Sequence, residues 1–136
     1  MLGRSATLLD VVCDGKSLGQ DGTIVIKKGT TVHLKVRVPD EIKNVSSIRR
    51  TSADGTRGPN GEIIWKNWVN QKCNPNVNRY DSSTWVNQRE YDWYITGKEE
   101  TDDKGITVSQ TSFFTVPGGN LDTYKGMTRV NVKVVA

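Results

Sequence analysis

The aromatic and amide side chains of this chain are concentrated in one stretch. The sequence WVNQK at Trp68–Lys72 returns as WVNQR at Trp85–Arg89, and all four tryptophans lie between Trp65 and Trp93. A flat indole face can stack on a sugar ring, a cation or a base, while amide groups bond to hydroxyls. Trp, Tyr and Arg are also enriched at the centres of protein interfaces. The candidate binding residues of this stretch are Trp65, Trp68, Trp85, Tyr80 and Arg89.

Three roles are open for Trp65, Trp68 and Trp85: packing in a core, contact with a protein partner, or a platform for a glycan. Trp93 differs from them, because it lies in an alternating strand pattern that predicts a core position. The two WVNQ copies do not indicate a duplication, since their flanks differ and a repeat unit needs about 20 residues. They could instead be the two arms of a hairpin whose tip lies at 72–78, where Asn-Pro-Asn signals a turn.

Enzyme chemistry lacks a recognisable residue set. The single histidine, His33, lies on the polar side of a strand pattern, and no Gly-x-Ser-x-Gly elbow occurs. The acid pairs Glu99-Glu100 and Asp102-Asp103 belong to a charged loop, without the apolar surroundings that a general acid needs. The sequence therefore predicts a protein that is not an enzyme and holds no cofactor.

Metal binding is weakly supported by the residue types. Two cysteines and one histidine cannot supply four zinc ligands without carboxylates. The loop aspartates do not follow the spacing of a calcium loop, so we expect them to be ordinary surface acids. Cys13 and Cys73 could form a disulfide in an oxidising compartment or remain two free thiols.

The charge pattern argues against nucleic acid. The net charge of +4 comes from 19 basic and 15 acidic residues, and the adjacent basic pairs Lys27-Lys28 and Arg49-Arg50 stand apart. Binding to a phosphate backbone usually needs basic side chains clustered on one face.

No run approaches the roughly 18 apolar residues of a membrane span. Asp10 interrupts the N-terminal apolar stretch, so we expect no signal peptide.

Alternation of apolar and polar residues recurs along the chain and predicts an all-β protein. In Thr31–Val38, valines and a leucine alternate with polar side chains, which predicts a half-buried antiparallel strand with one wet face. Other strands are expected at Thr23–Ile26, Tyr91–Gly97, Ile106–Pro117 and Val130–Val135. The charged segment Lys98–Gly105 is expected to be a loop between two of them.

Two blocks of the sequence resemble microbial and phage immunoglobulin-like, or PKD-like, domains. The first is the short strand, Lys-Gly turn and alternating strand of Gly22–Val36; the second comprises Tyr91-x-Trp93, Gly97, Phe113–Pro117, Gly126 and Val130-x-Val132-x-Val134. The resemblance implies a β-sandwich with Trp93 and the valines between its sheets. Such domains serve mostly as spacers, adhesion modules and decorations of cells or virions, and the resemblance implies no particular ligand.

The chain departs from that pattern between Asp40 and Glu90, where connections in such a domain are usually short. The prediction is one domain over residues 1–136: a single immunoglobulin-like antiparallel β-sandwich, with a long, partly structured insertion at about 40–90 between its early and central strands. Long insertions are usually either disordered or functional, and three tryptophans argue against disorder, so we expect this insertion to be a contact surface.

The predicted function is a non-catalytic structural or interaction module. A virion component, either a capsid decoration or a tail protein, is the first expectation, and a carbohydrate-binding or adhesion module that uses the insertion is the alternative. The expected partners are proteins or further copies of the chain, with a glycan as the other option and no nucleic acid. The expected location is a virion, the cell surface or the extracellular space, with the cytoplasm left open.

Overall fold

A computed structural model describes residues 7–19, 22–40, 47–51, 55–57, 63–65, 68–74, 90–115 and 124–136. These residues form strands that assemble into two sheets. The strands are β1 Thr7–Leu8, β2 Asp10–Cys13, β3 Lys16–Ser17, β4 Thr23–Lys27, β5 Thr31–Arg37, β6 Ser47–Thr51, β7 Gly55–Arg57, β8 Ile63–Trp65, β9 Val69–Asn74, β10 Glu90–Gly97, β11 Ile106–Thr115 and β12 Tyr124–Val135. In the described part of the chain, no helix is long and apolar enough to cross a membrane.

The five-stranded sheet is organised around β12, its longest strand. One edge of β12 pairs antiparallel with β11, which pairs in turn with β6. The other edge pairs in parallel with β1 at Gly126–Met127 and with β4 at Asn131–Val135. The predicted antiparallel sandwich therefore contains two parallel ladders, because two short N-terminal strands share one edge of the C-terminal strand.

The seven-stranded sheet has the order β3-β2-β5-β10-β9-β8-β7. Its centre is the long antiparallel pair β5 and β10, in which Trp93 lies opposite Leu34. A tight hairpin joins β2 to β3, and both Asp14 and Gly15 at its tip have positive φ angles of 50° and 80°. Positive φ at both central residues is typical of the two-residue hairpin turns whose twist matches the strands, and Asp-Gly is a preferred pair there.

The alternation of the strands fills the space between the two sheets. In β5 and β10, the residues Leu34, Val36, Trp93 and Ile95 are almost completely buried, while their neighbours along each strand are more exposed. Val108 and the three valines of β12 at 130, 132 and 134 cover this layer from the five-stranded sheet. The two sheets approach each other closely at Gly97, where an added Cβ would lie 2.9 Å from Val134 Cγ1.

The all-β sandwich predicted from the sequence is confirmed. The strands expected at 23–26, 31–38, 91–97 and 130–135 are present, and the charged segment 98–105 connects β10 to β11. Trp93 is fully buried, as expected. The insertion predicted at about 40–90 contributes strands to both sheets: β6 extends the five-stranded sheet, and β7 to β9 extend the other. The likeness to microbial and phage immunoglobulin-like, or PKD-like, domains stays a prediction.

The hairpin proposed between the two WVNQ copies is wrong. Val69–Gln71, from the first copy, pairs with Ile63–Trp65 on one edge and with Ile95–Gly97 on the other. The backbone of Val69–Gln71 is therefore paired with a strand on each side, so the second copy cannot pair with it. The antiparallel partner of β9 is instead β10, which follows the second copy in the sequence and has the stronger alternating pattern.

The disulfide that the sequence left open is not formed. Cys13 carries a free, half-buried thiol. Cys73 lies in β9, and the strands β5 and β10 separate β9 from β2. Three strand spacings of about 4.8 Å put these strands roughly 14 Å apart, whereas the Cα atoms of a disulfide lie within about 7 Å.

Candidate functional site

The first WVNQ copy divides its side chains between the core and one outer sheet face. Val69 and Gln71 are fully buried, whereas Asn70 alternates with them and is half-buried. Gln71 Oε1 accepts a 3.0 Å hydrogen bond from Trp93 Nε1 inside the sandwich. The copy is therefore not a purely exposed row of aromatic and amide groups.

Trp68 lies in the turn between β8 and β9, half-buried against the hydrophobic core. Its carbonyl oxygen accepts hydrogen bonds from the backbone nitrogens of Lys98 at 2.6 Å and Glu99 at 3.3 Å. These bonds attach the start of the charged 98–105 connection to the turn. Trp68 thus contributes to packing, and a role for its ring in binding stays a prediction.

The other predicted binding residues are only partly covered by the structure. Trp65 ends β8, where its backbone pairs with Gly55 and Val69; its side chain lies outside the described part. Tyr80, Trp85 and Arg89 lie outside the described residues. The chain from 75 to 89 leaves β9 at Asn74 and re-enters the sheet at Glu90, so its two ends lie at the same end of adjacent strands.

The central pair of the seven-stranded sheet presents a continuous polar surface, which we call the β5–β10 face. It consists of the outward residues Thr31, His33, Lys35 and Arg37 of β5 and Glu90, Asp92, Tyr94 and Thr96 of β10. Residues directly opposite each other in an antiparallel pair share a face and touch. The face is therefore built from four cross-strand rows, and Asn70 lies opposite Thr96 on the adjoining strand.

An aromatic pair stands at the middle of the β5–β10 face. The His33 and Tyr94 rings are stacked, with centroids 4.7 Å apart and an interplanar angle of 14°. His33 Nε2 lies 2.7 Å from Asp92 Oδ1, and since a carboxylate only accepts, the imidazole donates. The His33 side chain remains 48% exposed and that of Asp92 29%. The pair is thus oriented by its neighbours while still reachable from solvent.

The two ends of the face differ in chemistry. At one end, the hydroxyl groups of Thr31 and Thr96 are hydrogen-bonded at 2.7 Å. At the other end, Arg37 lies 3.6 Å from Glu90 and 3.8 Å from Asp10, and all three side chains are 40% exposed or more. Exposed ion pairs of this length contribute little to stability, so these groups can exchange their partners for a ligand at small cost.

An open groove of about 550 Å³ runs beside the charged end of the face. It lies between the β2–β3 hairpin and the outer side of β5, with Val12 and Asp14 on one side and Lys35 and Arg37 on the other. Cys13 also contributes to its lining. Burial raises the pKa of the Cys13 thiol, and the adjacent Asp14 carboxylate raises this pKa further. The thiol is therefore held mainly in its neutral, weakly nucleophilic form.

Among the acids of the 98–105 connection, Asp102 has a structural role. Asp102 Oδ1 accepts hydrogen bonds of 3.0 Å from the backbone nitrogens of Lys104 and Gly105, which closes the turn before β11. Within the described ranges, no group of three or more His, Cys, Asp or Glu side chains could hold a metal ion. The expectation that the chain binds no metal or cofactor stays a prediction.

The sequence predicted the wet face of β5, but for β10 it predicted a strand without its polar face, and it did not predict their juxtaposition. The polar positions of β5 were identified as a wet strand face, and His33 was correctly expected to face solvent. The contacts of His33 with Asp92 and Tyr94 join residues 59 or more positions apart. Only the register of β5 against β10 brings them together.

No family model and no curated protein matches this chain. Among solved structures, it is similar to a mutant of the SrpA adhesin from Streptococcus sanguinis, at 12% identity and a TM-score of 0.42, over 95% of this chain and 60% of that chain. It is also similar to the sialic acid binding region of a Streptococcus sanguinis SK1 adhesin bound to 3'sLn, at 12% identity and a TM-score of 0.48, over 96% of this chain and 31% of that chain. This chain thus spans less than two thirds of either, and likenesses at this level assign no ligand to it.

Proposed function

We propose that this chain is a non-catalytic adhesion or interaction module that binds a carbohydrate on its β5–β10 face. The observation that carries the proposal is the stacked Tyr94–His33 pair, bordered by the Asp92 carboxylate and the Thr31–Thr96 hydroxyl pair. Aromatic rings offer an apolar surface to the C–H groups of a sugar ring, while carboxylate, imidazole and hydroxyl groups bond to its hydroxyls.

The composition of the face favours a sugar over a large protein partner. Stable protein interfaces are centred on buried apolar or aromatic anchors. In the described residues, the large hydrophobic side chains that are clearly exposed are Val25 and Val135, and both belong to the five-stranded sheet. The β5–β10 face instead offers many hydrogen-bonding groups around one aromatic pair, which suits a ligand rich in hydroxyls.

The predicted contact residues adjoin this face along the chain. Tyr80, Trp85 and Arg89 lie in the segment that joins Asn74 to Glu90, and Glu90 belongs to the face. They are therefore proposed as further contributors to the same site. The virion role expected from the sequence stays a prediction, whereas an adhesion role corresponds to a place on a cell surface or outside the cell.

The test is binding to a glycan array, followed by calorimetry with the sugars that bind. Tyr94→Ala should weaken the affinity by about tenfold or more, equivalent to about 1.4 kcal/mol. Glu100→Ala, at an exposed position in the 98–105 connection and outside both faces, is the control and should bind as the wild type does. Thermal melting of each variant confirms that the fold is retained.

Two outcomes would contradict the proposal. The absence of any binding to the array and to free sugars at millimolar concentration would remove carbohydrate as the ligand class. Unchanged binding by Tyr94→Ala, combined with loss of binding by Trp85→Ala, would move the site from the β5–β10 face to the 75–89 segment.

A further inference from the structure

The strands of the five-stranded sheet contain no acidic residue. Their sequences include six basic residues: Lys27, Arg49, Arg50, Lys125, Arg129 and Lys133. The acids located in strands, Asp10, Glu90 and Asp92, all belong to the seven-stranded sheet. The nearly balanced charge of the whole chain, 19 basic against 15 acidic residues, is therefore distributed unequally between the two layers.

The alternation of β12 directs three of these cations to the outer surface. Val130, Val132 and Val134 are buried, so the residues between them point away from the core. Lys125, Arg129 and Lys133 occupy outward positions four residues apart, a spacing of roughly 13 Å along a strand. Lys27 joins them from β4, where it pairs with Val135. We call these four cations and the outward residues between them the β12 face.

The four cations are not neutralised by the described acids. The ion pairs of the described residues all lie on the seven-stranded sheet, and none includes Lys27, Lys125, Arg129 or Lys133. The acidic 98–105 connection lies beside the far end of β12, where Thr101 N donates a hydrogen bond to Val134 O. Lys125 and Arg129 lie toward the other end of β12, away from that connection.

The outward residues around the cations are mixed: Met127, Val25 and Val135 are apolar, whereas those contributed by β11 are mainly hydroxyls. The outward side chains of β11 include Thr107, Ser109 and Thr111, and Asn131 lies opposite Thr107 on β12. Lys125 Nζ lies 5.9 Å from the centroid of the Phe113 ring, within the range of a cation–π contact. Phe113 is half-buried with Lys125 over its ring, and the described residues of the β12 face include no fully exposed aromatic ring on which a base could stack.

We propose that the β12 face binds an acidic polysaccharide along the direction of β12. Cations at intervals of roughly 13 Å in a straight line match a linear chain with regularly placed carboxylate or sulfate groups, and the intervening hydroxyls suit its sugar hydroxyls. Charge complementarity selects an acidic over a neutral chain, and the absence of an open stacking platform on the described face disfavours single-stranded nucleic acid. This inference concerns the opposite side of the sandwich from the β5–β10 face and does not depend on it.

The experiment compares polyanions of different chemistry. Affinity is measured for heparin and polygalacturonate, with dextran as the neutral polysaccharide, duplex DNA, and vesicles containing phosphatidylserine. The acidic polysaccharides should bind more tightly than DNA or the vesicles, and dextran should not bind. Preferred binding of DNA or of the vesicles would overturn the choice of partner, and no binding to any polyanion would overturn the site.

A pair of charge-matched variants tests the position of the site. Lys125→Gln/Arg129→Gln should weaken polysaccharide binding by about tenfold and reduce the slope of log affinity against log salt by about 2. Lys16→Gln/Lys98→Gln removes the same charge from outside the five-stranded sheet and should keep most of the affinity. Equal losses in the two variants would show that net charge, rather than the β12 face, controls binding.

Discussion

Trp93 Nε1 donates a 3.0 Å hydrogen bond to Gln71 Oε1, and both side chains are fully buried between the sheets. Gln71 is the glutamine of the first WVNQ copy, so part of that motif stabilises the core. Its other amide atom, Nε2, has no hydrogen-bond partner in the described structure. Burying an amide without all of its bonds is costly, so this bond to Trp93 offsets only part of the cost of burying Gln71.

The first prediction concerns the coupling between these two residues. Trp93→Phe should lower the free energy of unfolding by about 2–4 kcal/mol, because it removes indole packing and leaves the Gln71 amide wholly unpaired. Gln71→Met in the Trp93→Phe background removes the unpaired amide and should restore about 1–2 kcal/mol of the free energy of unfolding. Urea unfolding of the wild type, both single variants and the double variant measures the coupling. If the stability changes of the two single variants simply add in the double variant, the predicted coupling between Trp93 and Gln71 is contradicted.

The second prediction concerns the close approach of the sheets at Gly97. A Cβ there would lie 2.9 Å from Val134 Cγ1 and 3.2 Å from Ile26 Cγ2, so Gly97→Ala should cost about 1–3 kcal/mol of stability through overpacking. Val134→Ala makes room for the added methyl group. Gly97→Ala should therefore cost less in the Val134→Ala background, as measured by thermal or urea unfolding. An equal cost in both backgrounds would show that the clash does not occur.

The strand pattern was predictable because each strand of a sandwich has one apolar face. The alternating valines of β5 and β12 locate both strands and identify their buried sides without any tertiary information. The polar residues of the core were not predictable in this way. Ser112 and Thr128 occupy inward positions, where Ser112 Oγ contacts the Tyr91 hydroxyl at 3.1 Å and Thr128 Oγ1 donates to the Gln110 carbonyl. Their residue types are typical of surfaces, and only the partner strand explains their burial.

The candidate surfaces were less predictable than the fold, because each combines residues distant in the sequence. Asp92 and His33 meet only through the β5–β10 register. The basic residues of the β12 face are scattered along the chain, and strand pairing rather than adjacency gathers them: Lys27 lies opposite Val135, two residues from Lys133. A sequence search for adjacent Lys and Arg therefore overlooks a cationic sheet face.

The third prediction concerns the reactivity of Cys13. Burial raises the pKa of this thiol, and the Asp14 carboxylate adds to the rise, so Cys13 should be alkylated by iodoacetamide more slowly than a free peptide cysteine at pH 8. The rate should increase as the pH rises toward the raised pKa and the thiolate accumulates. Cys73→Ser provides the background in which only Cys13 reacts.

Asp14→Asn separates the two causes of this pKa shift. Asparagine tolerates the positive φ of 50° at this hairpin position, so the turn should be retained. Loss of the carboxylate should move the rate profile to lower pH, while the larger effect of burial remains. A profile identical to that of Cys73→Ser alone would show that Asp14 does not act on the thiol.

The fourth prediction separates packing from binding at Trp68. Its half-buried ring contacts the core, so Trp68→Ala should lower the free energy of unfolding by about 1–3 kcal/mol, less than the roughly 3–5 kcal/mol expected for Trp93→Ala. The backbone bonds from Lys98 and Glu99 to the Trp68 carbonyl need no side chain and should persist. Urea unfolding measures the stabilities, and calorimetry with a bound glycan measures the affinity. Unchanged stability with lost affinity would assign Trp68 to the binding surface, whereas reduced stability with retained affinity would place its contribution in the core.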